Sequence, residues 1–169
     1  GLSSAGIRSS WAKLTLSGKS SVGGIVGSGS EDTSSSAGSG CTVTDCRSLV
    51  VVEDCDQFSG AISGRDLGVF RGNYFVSDTL RGIDRRSLSG QAEPMDYAAL
   101  CALDGVPEDF LSFTLRFVCD GRTLKTLRFD YGDSFDFSVF PSLTEQSGSY
   151  PVWDRTDLTD LRFDTVVTA

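Results

Sequence analysis

The chain has no histidine among its 169 residues, and this absence removes the commonest general base near neutral pH. Catalysis by a Ser-His-Asp or Cys-His arrangement is therefore excluded within the chain. Imidazole is also the commonest metal ligand, so its absence argues against a zinc site. None of the five cysteines forms a C-x-x-C pair, which removes the other usual zinc signature.

Positive charge is also scarce, because 15 lysines and arginines stand against 23 aspartates and glutamates. The formal net charge is -8 and the sequence pI is about 4.4. Binding to the phosphates of a nucleic acid needs a basic stripe, so we expect no nucleic-acid partner. The one basic cluster, Arg81, Arg85 and Arg86, is interrupted by Asp84, which is typical of a solvated loop.

Long apolar runs are missing as well. No stretch of 18 apolar residues occurs, so we expect no membrane insertion of this chain. The chain opens Gly1-Leu2-Ser3 without an initiator methionine or a visible signal peptide. We expect it to be an excised piece of a longer protein, with Gly1 left by removal of a tag.

The cysteines, at positions 41, 46, 55, 101 and 119, are odd in number and cannot all pair within the chain. We expect all five to be buried thiols that act as small apolar residues. A bond between Cys46 and Cys55 stays open as an alternative, on the condition that the two are neighbours in space.

What the chain has instead is a glycine-spaced aliphatic motif, Val22-Gly23-Gly24-Ile25-Val26-Gly27, in serine-rich sequence. The motif recurs in degraded form at 60–64 and 67–72. A block this short predicts a brief strand, a turn and repetition of the unit, which is typical of a solenoid. We expect its glycines to form corners with positive φ. The residues expected to point into the interior are Val22, Ile25, Val43, Leu49, Val51, Ile62 and Val69.

Other patterns in the first half agree with short strands and corners. Alternation of apolar and polar residues over 12–16 predicts a strand. The near-copies at 43–46 (Val-Thr-Asp-Cys) and 52–55 (Val-Glu-Asp-Cys) are nine residues apart, as expected for successive faces of one coil. Serine and glycine dominate 28–40, which predicts a long exposed loop.

The second half reads as a separate β module. Two alternating runs joined by Asp120-Gly121 predict a β-hairpin, because a type I′ turn needs positive φ at both positions. Further alternation predicts strands around Phe135 and Phe137 and over 161–168. Before this module, Asp96 is a candidate N-cap for a helix that ends before Gly105.

These patterns predict a mainly β chain in three parts. Residues 1–95 are expected to form a short right-handed β-helix, or solenoid segment. Residues 96–111 are expected to form a short helical connector, and 112–169 a small β module with its own core.

The candidate ligand contacts are Trp11, Tyr150, Trp153 and Asp154. Aromatic rings contact pyranose faces, and a neighbouring carboxylate accepts hydrogen bonds from sugar hydroxyls. The alternative is that Trp153 fills the core of a small module. No catalytic, cofactor-binding or metal-binding residue is assigned, and no cofactor is expected.

Two series of aspartates have a spacing of three residues: 130, 133 and 136, and then 154, 157 and 160. A calcium site needs several converging oxygens, and neither series has the spacing of an EF-hand loop. We interpret these aspartates as solvated turn residues, with one weak Ca²⁺ site as the alternative.

The segment Ser21–Gly27 resembles the GLUG repeat motif found in large surface proteins of Gram-positive and gut bacteria. The following Thr42-Val43-Thr44-Asp45-Cys46 resembles the variable strand after such a motif. The resemblance covers 60 to 90 residues and has one clean copy of the motif, so this segment is expected to be a terminal part of a β-helix.

The last 57 residues resemble the β-grasp-like repeat of internalin-type (Listeria-Bacteroides) surface proteins. That repeat contains a K-T-x-x-x-x-Y-G segment, which here spans Lys125–Gly132. It closes with G-Y-x-x-x-W, here Gly148–Trp153 with one inserted residue, and with a strand that ends in V-T-A.

The two resemblances imply an extracellular, cell-surface setting and a non-enzymatic module that acts as a scaffold or spacer or in adhesion. The partners they imply are glycans and host or cell-wall proteins. The alternative is a carbohydrate-binding or carbohydrate-active fragment, since β-helices often carry polysaccharide lyases and glycosidases. Without histidine or paired carboxylates at a catalytic spacing, we expect the chain to catalyse nothing.

Overall fold

The computed structural model describes residues 2–3, 6–29, 41–144 and 151–169. The chain divides into two compact units, 1–105 and 106–169, whose boundary falls inside the segment predicted to be a helical connector. Most of the regular structure is β, which confirms the predicted fold class at that level. The predicted exposed loop at 28–40 lies largely outside the described residues.

Eleven short strands and one helix make up the described part of the first unit. Their bounds are β1 Leu2–Ser3, β2 Gly6–Arg8, β3 Trp11–Ser17, β4 Ser20–Gly23, β5 Ser28–Gly29, β6 Cys41–Thr44, β7 Arg47–Asp54, β8 Gln57–Gly60, β9 Gly68–Arg71, β10 Asn73–Val76, β11 Ala92–Pro94 and α1 Tyr97–Cys101. The strand predicted over 12–16 is confirmed as part of β3. The two near-copies end β6 and β7, which follow each other along the chain.

All pairings between the named strands in the described part of this unit are parallel, and the chain passes through these strands in the same order each time. Strands β2, β3 and β4 pair with β6, β7 and β8, and β6 and β7 then pair with β9 and β10. We call each pass a round: round one is 6–29, round two 41–64 and round three 68–83. A parallel neighbour must be reached by a crossover, which each round supplies.

The glycine-spaced motif lies at equivalent positions of successive rounds. Gly23 pairs with Gly60, and an isolated parallel bridge joins Val26 to Ser63, so the copy at 60–64 is confirmed. Ser63 is bridged in turn to Ile83, which places the third equivalent position at 81–84. The copy assigned to 67–72 is wrong, because those residues instead form β9 beside β6.

The motif glycines are required for close backbone approach and not for positive φ. A Cβ on Gly23 would lie 2.1 Å from the Val26 carbonyl oxygen and 2.5 Å from the Gly64 nitrogen. A Cβ on Gly60 would lie 2.1 Å from the Ser63 carbonyl oxygen. Neither glycine has positive φ, so the prediction of left-handed corners is wrong at these positions.

Left-handed corners lie elsewhere, at the turn that leads from the first strand of each round to the second. Ser9, Asp45 and Gly72 have φ of 47°, 54° and 60° and occupy this corner in rounds one, two and three. Only Gly72 takes this conformation without a steric cost. Aspartate adopts this conformation more readily than most non-glycine residues, so residue type supports the corner at Asp45 and Gly72 but not at Ser9.

The interior of the first unit is an apolar cluster to which all three rounds contribute. Its buried members are Val26, Cys41, Val43, Cys46, Val50, Ala61, Ile62, Phe70, Phe75, Ile83 and Ala92. The predictions for Val43 and Ile62 are confirmed, and Val22 is also buried. Ile25 is only partly buried against the cluster.

The interior predictions for Val51 and Val69 are wrong because the phase of alternation was misassigned, whereas Leu49 is fully buried but lies outside the cluster. Val69 is 40% exposed and its neighbour Phe70 is buried in the cluster. On β7 Val50 belongs to the cluster, so alternation puts Leu49 and Val51 on the opposite face of the strand. Leu49 is buried on that face, beside its strand partner Val76.

The second unit contains five strands and two 3₁₀ turns in its described part. The strands are β12 Phe113–Cys119, β13 Arg122–Phe129, β14 Asp133–Phe135, β15 Leu158–Leu161 and β16 Thr165–Thr168; the 3₁₀ turns are Glu108–Phe110 and Phe137–Val139. The hairpin of β12 and β13 is confirmed, with positive φ at Asp120 and Gly121. Strand β16 lies parallel to β12 on its other side, in the order β13-β12-β16.

Two strand predictions in this unit need correction. The strand expected over 161–168 is interrupted between β15 and β16. Asp164, which lies in this gap, accepts hydrogen bonds from the backbone N–H and the hydroxyl of Thr114. The strand expected around Phe135 and Phe137 ends at Phe135. Asp136 then caps the 3₁₀ turn and redirects the chain.

The helix prediction is confirmed with a shorter extent, since α1 ends at Cys101. Asp96 is its N-cap residue, but the Asp96 side chain makes no capping hydrogen bond. All five cysteines are free thiols. Cys55 and Cys101 are half-buried, so the prediction of burial holds only for the other three.

Candidate functional site

The candidate site is a groove in the second unit, built around Trp153. The Trp153 ring packs against Phe117, with centroids 5.4 Å apart, and against Phe140 at 5.9 Å. Phe117 is fully buried and itself packs edge-on against Phe140 at 5.0 Å. One side of the Trp153 ring therefore packs against the core, and the half-buried ring is also partly exposed at the surface.

The 3₁₀ turn Phe137–Val139 carries the most exposed ring of the site. Phe137 is 70% exposed and stacks on Phe140, with centroids 4.9 Å apart and planes 18° from parallel. One face of the Phe137 ring is thus covered by Phe140, and the remainder is open to solvent. The Nζ of Lys125 donates a hydrogen bond of 2.7 Å to the Val139 carbonyl, which ties the turn to β13.

Asp136 caps this turn. Its Oδ1 accepts hydrogen bonds from the hydroxyl and the backbone N–H of Ser138. Both hydrogen bonds favour the charged form, with that from the hydroxyl the stronger influence, and hold the Asp136 pKa below its ordinary value. The carboxylate is fully exposed and ionised at neutral pH.

The groove between these segments has a volume of about 530 Å³. This volume lies within the range of roughly 300–1,000 Å³ that is usual for small-ligand clefts. Its apolar lining includes Phe137, Phe140, Pro141, Pro151, Val152 and Trp153. Hydroxyls of Ser142 and Thr156 also line it, and none of its described lining residues is charged.

Asp154, the other predicted contact in this unit, has a structural role. Its Oδ1 accepts a hydrogen bond of 2.9 Å from the Thr168 N–H, and its own N–H donates to the Thr168 carbonyl at 2.8 Å. Asp154 therefore fixes the Trp153 segment to the end of β16. Its side chain remains exposed to solvent.

Of the other two predicted contacts, the structure describes only Trp11. Trp11 begins β3 in the first unit, where it pairs with Arg47 and is half-buried. Tyr150 lies outside the described residues. Of the four candidates, the structure thus brings Trp153 and Asp154 together in one segment of the second unit.

The aspartate series are engaged in turns. Asp133 accepts a hydrogen bond from the Asp130 N–H, and Asp157 accepts from the N–H and hydroxyl of Thr159. Asp160 pairs with Arg162 at 2.8 Å. In the part of the chain that the structure describes, no group of three or more acidic or cysteine side chains could share a metal ion.

Sequence reasoning missed Phe137 and Phe140 as site residues. Phe137 alternates with Phe135, which predicts a strand at this position and not a turn that carries an exposed ring. The contrary signal was the Asp136-Phe137-Ser138 order, in which an aspartate precedes a serine by two residues, a spacing that favours a capped turn over a strand.

No protein-family model, curated protein or solved structure significantly matches this chain. Within the described residues, no helix is both long and apolar enough to cross a membrane.

Proposed function

We propose that this chain is a non-enzymatic module of a bacterial cell-surface protein that acts as a scaffold or spacer or in adhesion. In this proposal the first unit is a short right-handed β-helix of the GLUG-repeat kind. The second unit is a β-grasp-like repeat, a separate module with its own core.

The observation that carries the proposal is the register of the glycine-spaced motif. Gly23 lies on Gly60, and Val26, Ser63 and Ile83 follow one another across three rounds. A stack of this kind is extended by adding rounds, each of which contacts only its neighbours. That property suits a spacer, because its length is set by the number of repeats.

The second unit supports the β-grasp-like part of the proposal by its strand order. A hairpin, β12 and β13, is followed at the end of the chain by β16, which pairs in parallel with the first strand of the hairpin. The resemblance at Lys125–Gly132 falls on β13 and the turn that follows it.

The spacer role can be tested by displaying the 169-residue chain between a cell-wall anchor and a peptide tag. We expect the tag to bind antibody and the chain to resist trypsin, because stacked strands open rarely. The control is an unstructured linker of equal length that carries the same 15 lysines and arginines, and trypsin should cleave it rapidly. Rapid cleavage within the first unit would contradict the proposal.

The absence of catalysis is tested separately. Purified protein is incubated with neutral and acidic polysaccharides and with peptides, and products are measured by reducing-end and amine assays. Reproducible turnover that a single Asp→Asn substitution abolishes would overturn the non-enzymatic assignment.

A further inference from the structure

The aromatic groove of the second unit combines exposure with rigidity. Val152, at 78% exposure, and Phe137, at 70%, are the two most exposed large apolar side chains of the described residues, and both line it. Single exposed apolar residues are ordinary, but two around one aromatic groove form a patch of the kind that binds ligands.

The Phe137 ring is fixed before any ligand arrives. It stacks on Phe140, which packs on the buried Phe117, so three rings connect the surface to the core. The Asp136 cap and the Lys125 hydrogen bond hold the turn that carries Phe137. Binding to such a platform costs little ordering entropy.

We propose that this groove binds a neutral polysaccharide, with one pyranose ring packed on the exposed face of Phe137. A pyranose has an apolar face of C–H groups, which suits an aromatic ring, and hydroxyls around its edge. This inference deepens the carbohydrate-binding alternative and does not depend on the spacer role.

The polar groups that line the groove favour this ligand class. They are the hydroxyls of Ser142 and Thr156, both on exposed residues. A hydroxyl both donates and accepts hydrogen bonds, so these groups match the hydroxyls at the edge of a sugar ring.

Two other occupants are separated by charge and by the test. An acidic polysaccharide would bring uronate charges to a chain of net charge -8, which is repulsive. A proline-rich peptide also suits aromatic grooves, and decaproline is the probe for that occupant.

The test uses the 169-residue chain in affinity electrophoresis and calorimetry against hydroxyethylcellulose, galactomannan and xyloglucan. Polygalacturonate and decaproline are the acidic and peptide probes. We expect at least one neutral polysaccharide to bind. Phe137→Ala should weaken that binding about tenfold, because one stacked ring is lost.

Phe137→Tyr should retain the platform and the binding. The matched control is Val166→Ala, at another exposed apolar residue of the same unit, which is 48% exposed and outside the groove. That control should leave the affinity unchanged. Thermal unfolding of each variant checks the fold, and loss of binding counts only where the melting temperature is retained.

Several results would overturn the inference: no binding to any neutral polysaccharide, equal binding by Phe137→Ala, or binding of decaproline or polygalacturonate in their place. None of these results would affect the spacer proposal, which is judged by tag display and resistance to trypsin.

Discussion

The side chain of Asn73 connects three successive levels of the first unit. Its Nδ2 donates to the carbonyls of Val43 and Gln91, each at 2.9 Å, and its Oδ1 accepts from the Cys46 N–H at 3.0 Å. The residue is 1% exposed, so these backbone groups have no ready access to water. Asn73 directly follows the left-handed corner at Gly72. Its side chain supplies hydrogen-bond partners to the backbone N–H and carbonyl groups near that corner.

We predict that Asn73→Ala lowers the free energy of unfolding by about 2–4 kcal/mol, because several buried polar groups lose their partner. Urea unfolding followed by circular dichroism measures the change. The control is Gln57→Ala, which removes an exposed amide from β8 and should alter the free energy by no more than about 0.5 kcal/mol. Equal effects of the two substitutions would contradict the assigned role.

Cys46 lies at the same corner and is a packing residue rather than a reactive thiol. Burial raises the pKa of the Cys46 thiol, and its Sγ donates to the Thr44 carbonyl at 3.3 Å. Reactivity of cysteine requires the thiolate, which a raised pKa disfavours.

At the scale of elements, the turn that crosses from β4 into the glycine-spaced motif depends on the absence of a side chain. A Cβ added to Gly23 would lie 2.1 Å from the Val26 carbonyl oxygen in its own turn. It would lie 2.5 Å from the Gly64 nitrogen in round two. These are backbone contacts, which cannot move aside as a flexible side chain could.

We predict that Gly23→Ala destabilises the chain by about 3 kcal/mol or more, through overpacking of the stacked turns. Gly6→Ala is the control, because its Cβ would have only the Thr42 carbonyl oxygen near it, at 3.9 Å, and its φ is not positive. That substitution should change stability by less than about 1 kcal/mol in the same urea experiment. Similar losses for the two variants would show that round two does not press on Gly23.

The stability of the 3₁₀ turn that carries Phe137 should depend on pH, because the Asp136 carboxylate caps this turn. The pKa of Asp136 lies below its ordinary value of 3.8, since hydrogen bonds from Ser138 stabilise the charged form. A lowered folded-state pKa adds stability that is present above the ordinary pKa and is lost as pH falls through the folded pKa.

We therefore predict that the turn loosens only below about pH 4, and that the Phe137 ring signals shift in that range. A titration followed by NMR, with Asp136→Asn as the comparison, measures this. The variant should lack the transition. An Asp136 carboxyl that titrates at or above its ordinary value would contradict the capping argument.

At the scale of the whole molecule, the two compact units each have a buried interior of their own. The first is the cluster shared by the three rounds, and the second is centred on rings such as Phe113 and Phe117, both fully buried. Independent cores are the property that allows domains to fold alone.

We predict that fragments 1–105 and 106–169, produced separately, each unfold cooperatively. Their summed circular dichroism spectra should match that of the full chain. A control fragment, 1–56, ends between β7 and β8 and leaves β4 without its partner, so it should show no cooperative transition. Failure of either compact unit to fold alone would show that its core is incomplete.

Local chemistry explains which predictions succeeded. Asp120-Gly121 requires no distant contact to form its turn, and the alternation on either side of it carries the hairpin. The motif at 22–27 and its copy at 60–64 were recognisable because the crowding at Gly23 and Gly60 demands glycine. Trp153 was noticed by residue type alone, before the groove around it could be known.

The phase of the strands could not be read in the same way. Leu49, Val50, Val51 and Val52 are all apolar, so period two gives no contrast between the two faces of β7. The third copy of the motif, at 81–84, could not be recognised from the sequence either, because it keeps only one glycine. Its equivalence to the earlier copies becomes visible only through its pairing with round two.

The amino-acid sequence by itself determined the mainly β class, the Asp120-Gly121 hairpin and the first two copies of the motif, because short-range sterics and periodicity encode them. Only the tertiary structure decided which face of β7 meets the cluster, that Asp164 lies in a gap between two strands, and that the Phe137 ring is exposed. Partners distant in sequence take part: Asp164 bonds Thr114, and Phe140, on which Phe137 stacks, packs against Trp153. A residue's own preferences cannot specify a neighbour that the chain supplies 50 residues away.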